Sequence, residues 1–418
     1  MTGRLQPDEE LDGLIRRLNH AARSQGGPEA AGTEPTAGAG AASETVRAMG
    51  GAVLPRAETE GEQWLARLIV QGAERFATDI LLVADTPPAL RIHGRIEPLG
   101  EQALSSAGVA MLCAALVPLE RRDEVAVRGS LDFSFRTPQG ARVRANVHRE
   151  RGRWAAALRL FPHETPDLGA LLLPPSLARF AELHYGLVLV TGPTGSGKTT
   201  TLAALIGRIL RRRCIHLVTI EDPVEYEHEH GASVVEHVEI GRDAASFAVA
   251  LRSVLRQDPD VLLIGEMRDP ESIGIAITAA ETGHLVLSTL HTGDGPQTIH
   301  RILDSYPPGQ AEPVRAQLAA SLAGIVSQQL LPRADGQGRV PAVEVLVATV
   351  GVRNLIRRGR IEQLRSQMSL EQAAGMIELD ASLARLVAEG LVEPDEARAR
   401  ARVPEEFEQR LNFMRKST

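Results

Sequence analysis

A run of glycines that ends in a lysine and two threonines, GPTGSGKTT over residues 192–200, carries the clearest chemistry in this sequence. It fits the pattern G-x-x-x-x-G-K-[ST], in which glycines let backbone N–H groups come close to the oxygens of a polyphosphate. Lys198 would reach the β- and γ-phosphates, and Thr199 would bind Mg²⁺. The residues predicted to surround the phosphates are Gly192, Pro193, Thr194, Gly195, Ser196, Gly197, Lys198, Thr199 and Thr200.

Three later segments place a polar side chain directly after an apolar run. Glu221 could hold Mg²⁺ through water or orient an attacking water. Glu266 could hold the water shell of Mg²⁺ and polarise the attacking water. His291 could contact the γ-phosphate. Each is by itself an ordinary polar strand end, but ligands of open α/β sheets bind outside the carboxyl ends of the strands, which favours a shared site. The segments are TIEDPVEY (219–226), DVLLIGEMRD (260–269) and HLVLSTLHT (284–292).

These side chains need a sheet to position them. Residues 187–190 form a short apolar run typical of a buried strand, and a helix is predicted over 200–210, so a helix N-terminus would face the phosphates. From about residue 176 apolar strands alternate with helices, which predicts a parallel sheet covered by helices. After about residue 297 the strands mostly cease. Amphipathic helices are predicted there over 311–330, 350–366 and 378–402.

The N-terminal part follows a different pattern. Residues 62–162 combine helical segments with alternating strands, including two strands about a Pro-Pro turn, and predict a small α+β domain. A short helical pattern precedes a stretch over 21–60 that is rich in Ala, Gly, Glu, Thr and Pro and predicts a flexible tether. Four prolines predict a linker over 162–175. The predicted division is an extension over 1–60, an α+β domain over 61–162 and an α/β domain over 163–418.

Composition narrows the function classes. A net charge of −7 argues against a chain devoted to bulk nucleic-acid binding. Cys113 and Cys214 lie far apart, which predicts neither a disulfide framework nor a thiolate zinc site and favours a reducing cytosol. No run approaches the length of a membrane span and no secretion signal is present, so we expect membrane association only through partners. His228 and His230 favour an exposed charged turn over a metal site.

Several arginines could neutralise the charge that phosphoryl transfer builds on the γ-phosphate oxygens, although the ordinary state of any single arginine is solvated or salt-bridged. They are Arg144, Arg151, Arg153 and Arg159 in the first domain and Arg252, Arg256 and Arg268 in the second.

Taken together, the four segments resemble the ATPase superfamily of type II secretion and type IV pili. In that superfamily they correspond to a Walker A box, an aspartate box, an atypical Walker B box with glutamate, and a histidine box. Within it the chain is most similar to the PilT group of pilus retraction ATPases, because GVRNLIR over 351–357 resembles that group's signature and two lone cysteines cannot build a four-cysteine zinc module. The matching stretches are 192–200, 219–226, 251–273 and 279–292.

The resemblance implies a RecA-like P-loop ATPase domain preceded by a PAS-like α+β domain, assembled as a homo-hexamer that binds ATP and Mg²⁺. It implies that Glu266 is the catalytic carboxylate, that Glu221 and His291 belong to the aspartate and histidine boxes, and that Arg144 and Arg159 face the nucleotide. The implied partners are an inner-membrane pilus platform protein and a paralogous retraction ATPase. The implied location is the cytoplasm, peripheral at the inner membrane.

Other functions fit parts of this pattern. A PilU-like accessory protein, or an ATPase of pilus assembly or type II secretion, would use the same chemistry. RecA-like rings also include nucleic-acid motors, against which the negative net charge argues. A ring component that binds nucleotide without cleaving it is disfavoured by the presence of Lys198, Thr199 and Glu266.

Overall fold

The computed structural model divides the chain into two compact units, Met1–His163 and Glu164–Thr418. The predicted tether over 21–60 lies outside the described residues except for its last two positions, as does most of the helical pattern before it. Its end, residues 15–20, is helical, and Ile15 and Leu18 join the core of the first unit. The structure describes residues 15–20, 59–92, 94–137, 141–161, 165–307 and 309–417.

The first unit is built on a six-stranded antiparallel sheet with strand order β3-β2-β1-β6-β5-β4. Along the strand Arg142–Glu150 buried residues alternate with partly exposed ones, so this strand turns one face to the core. The two strands predicted about the Pro-Pro turn are three strands. The elements are α1 (Thr59–Glu74), β1 (Ala77–Leu82), β2 (Ala89–Ile92), β3 (Arg95–Pro98), α2 (Ser106–Leu116), α3 (Arg122–Arg128), β4 (Ser130–Arg136), β5 (Arg142–Glu150) and β6 (Arg153–Leu160).

The second unit confirms the predicted α/β class. Its seven-stranded sheet has the order β13-β12-β7-β11-β10-β8-β9, and its strand pairs are parallel except β12–β13. Every residue of β7, β10 and β11 is buried, as expected for strands covered by helices on both faces. The strands are β7 (Gly186–Thr191), β8 (His216–Glu221), β9 (Val234–Glu239), β10 (Val261–Ile264), β11 (Leu285–Leu290), β12 (Leu322–Pro332) and β13 (Arg339–Val347).

Helices connect these strands and form the C-terminal part of the unit. No helix in the described ranges is long and apolar enough to cross a membrane. The helices are α4 (Ala178–Ala181), α5 (Lys198–Arg212), α6 (Phe247–Val254), α7 (Pro270–Glu281), α8 (Gly295–Leu303), α9 (Ala311–Ser321), α10 (Val350–Arg357), α11 (Leu364–Leu370), α12 (Leu379–Ala388), α13 (Pro394–Arg400) and α14 (Pro404–Ser417).

The prediction that strands mostly cease after about residue 297 was wrong, because two long strands follow. The helix predicted over 311–330 ends at Ser321, and the chain continues as β12, which pairs with β7 in the sheet. The close packing of this strand requires Gly324, because a Cβ there would lie 2.4 Å from a ring carbon of the buried Phe180. The apolar runs of β12 and β13 flank a turn of sequence ADGQG, which is typical of a hairpin. The helical periodicity of the first run led to the prediction of a helix instead.

Two other predicted helices are each broken in two. The helix predicted over 350–366 stops at Arg357, and Gly359 follows with a φ of +71° that only glycine adopts without strain. The helix predicted over 378–402 stops at Ala388, and Pro394 starts the next one. Both breaks are typical of helix ends: a glycine follows the last turn of the first helix, and a proline occupies the first position of the second.

The predicted linker is shorter than its prolines suggest. Leu168 and Leu173 are buried in the core of the second unit, and Asp167 forms a 2.9 Å ion pair with Arg211 of α5. Residues 162–164 lie outside the described part of the chain. From residue 165 onward this stretch therefore belongs to the second unit.

Candidate functional site

The phosphate loop runs from the end of β7 to the start of α5. Its glycines adopt conformations that a side chain would strain, with φ values of +143° at Gly192, +76° at Gly195 and +85° at Gly197. Gly195 lies on the exposed side of the loop, where an added Cβ would meet nothing within 4 Å. The hydroxyl of Ser196 is buried and has no hydrogen-bond partner within the described residues. The loop is thus open to solvent at Gly195 and leaves the Ser196 hydroxyl available to a ligand, as expected for a phosphate-binding loop.

Strand β12 shapes this loop from beneath through Gln328, which is 3% exposed. Its Nε2 donates to the carbonyl of Ser196 at 2.6 Å, and its Oε1 accepts from the Thr201 hydroxyl at 2.8 Å. A Cβ at Gly192 would lie 2.2 Å from the backbone oxygen of Gln328. Gln328 is not among the predicted site residues, because its stretch has the apolar pattern of the helix predicted over 311–330.

Lys198 begins α5 and is only 8% exposed. Its ammonium donates to the carbonyls of Gly192 at 2.9 Å and Pro193 at 3.0 Å. Burial lowers the pKa of Lys198, and the charges of Glu266 and Glu225 oppose that shift. Because burial disfavours the charged ammonium, an anion bound beside it would stabilise that charge.

Three predicted site residues converge although they come from different elements. His291, just after β11, places Nε2 3.3 Å from Oε1 of Glu266, which follows β10. The Nδ1 of His291 lies 3.5 Å from the ammonium of Lys198. An ammonium only donates, so Nδ1 accepts and Nε2 carries the proton that faces Glu266. Arg268 donates to the other oxygen of Glu266 at 2.8 Å.

Glu221 ends β8 and is 3% exposed. Its Oε2 accepts the backbone N–H of Glu225 at 3.3 Å. A Cβ at Gly265 would lie 3.3 Å from the Cα and 3.4 Å from the Cγ of Glu221, so the strand ends meet closely here. A side chain at position 265 would therefore press on Glu221.

The remaining loop residues lie beside the same edge of the sheet. Thr199 is half-buried, and the Thr200 hydroxyl accepts from the Tyr226 hydroxyl at 3.1 Å. Burial raises the pKa of Tyr226. The described residues contain no group of three or more His, Cys, Asp or Glu arranged to hold a metal. The hydroxyl of Thr199 and the carboxylate of Glu266 instead offer the few oxygen ligands that Mg²⁺ uses when a phosphate supplies others.

The predicted arginines are distributed over both units. Arg144 and Arg159 are paired in register on β5 and β6 of the first unit, where they form ion pairs with Asp132 at 3.5 Å and Asp79 at 3.0 Å. Their role at a nucleotide stays a prediction. In the second unit Arg268 contacts the site residue Glu266, whereas Arg252 pairs with Glu271 and Arg256 donates to the Arg252 carbonyl.

The prediction of an exposed turn was wrong for His228, which is buried. His228 is 8% exposed and stacks on His237 with 6.1 Å between ring centroids. Burial, helped by the neighbouring His237, lowers the pKa of His228 to about 4, so the ring is neutral at pH 7. His230 accepts the backbone N–H of Val235 at 3.1 Å.

A model of the type II/IV secretion system protein family matches residues 171–400, which contain the loop and all three convergent residues. The chain belongs to this family. A relative named twitching motility protein from Neisseria gonorrhoeae is 44% identical over 76% of this chain and 85% of its own length. The type IV pilus retraction ATPase PilT of Pseudomonas aeruginosa is 39% identical over 82% of this chain and 99% of its own.

A solved structure of a family member extends the comparison to the fold. The pilus retraction motor PilT with bound ADP is 42% identical to this chain and superposes with a TM-score of 0.75. The match covers 82% of this chain and 99% of that structure. The similarity therefore extends well beyond the nucleotide-binding segments.

We expect Gln328→Glu to weaken binding of ATP by about tenfold or more, because a carboxylate oxygen would face the Ser196 carbonyl where a donor stood. Titration with a fluorescent ATP analogue measures the affinity. Gln329→Glu adds the same charge at the adjacent, half-buried position and serves as the control. Equal affinities of Gln328→Glu and Gln329→Glu would show that β12 does not shape the loop.

Proposed function

We propose that this chain is an ATPase that cleaves ATP to ADP and phosphate and drives retraction of a type IV pilus. The observation that carries the chemistry is the convergence of Lys198, Glu266 and His291 at the carboxyl edge of the parallel sheet. Similarity over most of the chain to a retraction ATPase and a retraction motor supports the biological role.

In this proposal the phosphate loop and Lys198 grip the β- and γ-phosphates. Thr199 and Glu266 would hold Mg²⁺, which when bound neutralises charge on the phosphate oxygens. Glu266 orients the attacking water and accepts its proton. Because His291 directs its Nε2 proton at Glu266, the histidine would hold that carboxylate in place until the phosphate arrives.

Glu221 is proposed to act beside Glu266 as the acid of the aspartate box. Its buried position at the end of β8 supports this role. A carboxylate held there by the backbone N–H of Glu225 would orient a water molecule near the phosphates.

The work step is proposed to occur in a homo-hexameric ring. The first unit, which we propose to be PAS-like, would move as a rigid body against the second. Arg144 and Arg159 would face the nucleotide of the assembled ring and stabilise charge on the γ-phosphate.

The proposed partners are an inner-membrane pilus platform protein and a paralogous retraction ATPase. We place the chain in the cytoplasm, peripheral at the inner membrane through those partners. A nucleic-acid substrate is not proposed, because the net charge of −7 disfavours a polyanionic partner.

The catalytic assignment is tested with Glu266→Gln. We expect this variant to retain ATP binding and to lose about 100-fold or more in kcat, since glutamine keeps the shape and one oxygen ligand but cannot accept a proton. Steady-state phosphate release measures kcat. Glu271→Gln on α7 removes an exposed carboxylate that pairs with Arg252 and should retain normal turnover. Normal turnover in Glu266→Gln would remove this glutamate from the mechanism.

The biological role is tested by deleting the gene in its host. Loss of a retraction motor leaves surface pili present but immobile, and live imaging of labelled pili distinguishes this from other outcomes. Absence of pili would indicate an assembly ATPase instead. Retraction that continues with reduced force would indicate an accessory paralogue, as in the PilU-like alternative.

A further inference from the structure

A buried cluster of charges joins the loop after His291 to the C-terminal helices. Two carboxylates, those of Asp294 and Glu344, are 1% and 2% exposed. Asp294 caps α8, and Glu344 lies on β13. Two arginines from the C-terminal region, Arg365 and Arg402, reach into the same place.

Arg402 contacts the loop and both acids. Its guanidinium forms an ion pair with Glu344, and its Nη2 donates to the carbonyl of Gly293 at 3.0 Å. The same nitrogen lies 3.5 Å from Oδ2 of Asp294. Glu344 in turn accepts the backbone N–H of Gly295 at 2.8 Å. The loop is therefore held at a carbonyl by Arg402 and at an amide by Glu344.

The position of Arg402 is set from the C-terminal side. Asp380 on α12, which is 6% exposed, accepts the backbone N–H groups of Arg402 at 2.9 Å and Val403 at 3.1 Å. These bonds fix the chain at the break between α13 and α14. Arg402 thus links the C-terminal helices to the loop after His291.

The two buried acids depend on this arginine. Burial raises the pKa of Glu344, while Arg402 and the Gly295 N–H act in the opposite direction. Without Arg402, Arg365 would be the one arginine in the described part of the chain left beside the two carboxylates of Glu344 and Asp294. One buried negative charge would then be uncompensated, which is strongly unfavourable. The loop would have to shift to admit water, and His291 would move with it.

We propose that Arg402 is a positioning residue for ATP cleavage: it holds the loop that presents His291 to Glu266 and Lys198. The inference rests on the proposed ATPase function and adds to it a dependence of the reaction on the C-terminal helices. The phosphate loop itself is held by β7 and β12, whereas the polar partners of the Arg402 side chain are Glu344, Gly293 and Asp294.

The test compares kcat with KM. We expect Arg402→Met to lower kcat by about tenfold or more, because small displacements of groups at the reacting centre are costly. The KM for ATP should change by no more than about twofold, since Arg402 is hydrogen-bonded to the loop after His291 and not to the phosphate loop. Arg402→Lys should recover part of the loss. The double variant Arg402→Met with Glu344→Gln should also recover, because it removes the unpaired negative charge and keeps the acceptor for Gly295.

Arg410→Met is the matched control. It breaks another half-buried C-terminal ion pair, that of Arg410 with Glu378, which does not touch the loop. Wild-type kcat in Arg402→Met, or equal losses of kcat in Arg402→Met and Arg410→Met at matched thermal stability, would overturn the inference. Failure of the proposed function is seen separately, as absence of ATP hydrolysis by the unaltered protein. If Arg402→Met does not fold, the kcat of Arg402→Lys relative to Arg410→Met decides the question.

Discussion

The packing of β12 beneath the phosphate loop is the constraint on which the site depends. Gln328 fills the space between the loop and α5, with both ends of its amide bonded to buried groups. Its backbone oxygen leaves room only for glycine at position 192. A loop held in this way keeps its shape before any ligand arrives, so binding a phosphate need not include the cost of ordering it.

The preformed loop explains how the other residues are arranged. Lys198 is held against the carbonyls of its own loop, and from there its ammonium lies beside His291. His291 in turn directs a proton at Glu266. Parallel strands end at one edge of a sheet, so residues distant in sequence form one site there. The buried acids Asp294 and Glu344 extend this arrangement to Arg365 and Arg402 of the C-terminal region.

Much of this could be predicted from residues alone. The phosphate loop, the strand before it and the helix after it follow from glycine spacing and an apolar run, and the polar residues at the other strand ends follow from the same pattern. The hairpin β12–β13 was missed although its turn is visible in the sequence, because its first strand follows a true helix without a break in apolar content. Gln328 and Arg402 were missed for a related reason: only the tertiary fold brings them to loops more than a hundred residues earlier in the chain.

The most direct test of the account is equilibrium binding of ATP with Mg²⁺ to the unaltered protein and to Lys198→Ala. If the buried ammonium of Lys198 contacts the phosphates as proposed, its removal should weaken binding by about tenfold or more, while the loop keeps its fold through Gln328. Saturable binding by the unaltered protein that is lost in Lys198→Ala is the result expected. Equal affinity in the two proteins would contradict the claim that this loop grips a triphosphate.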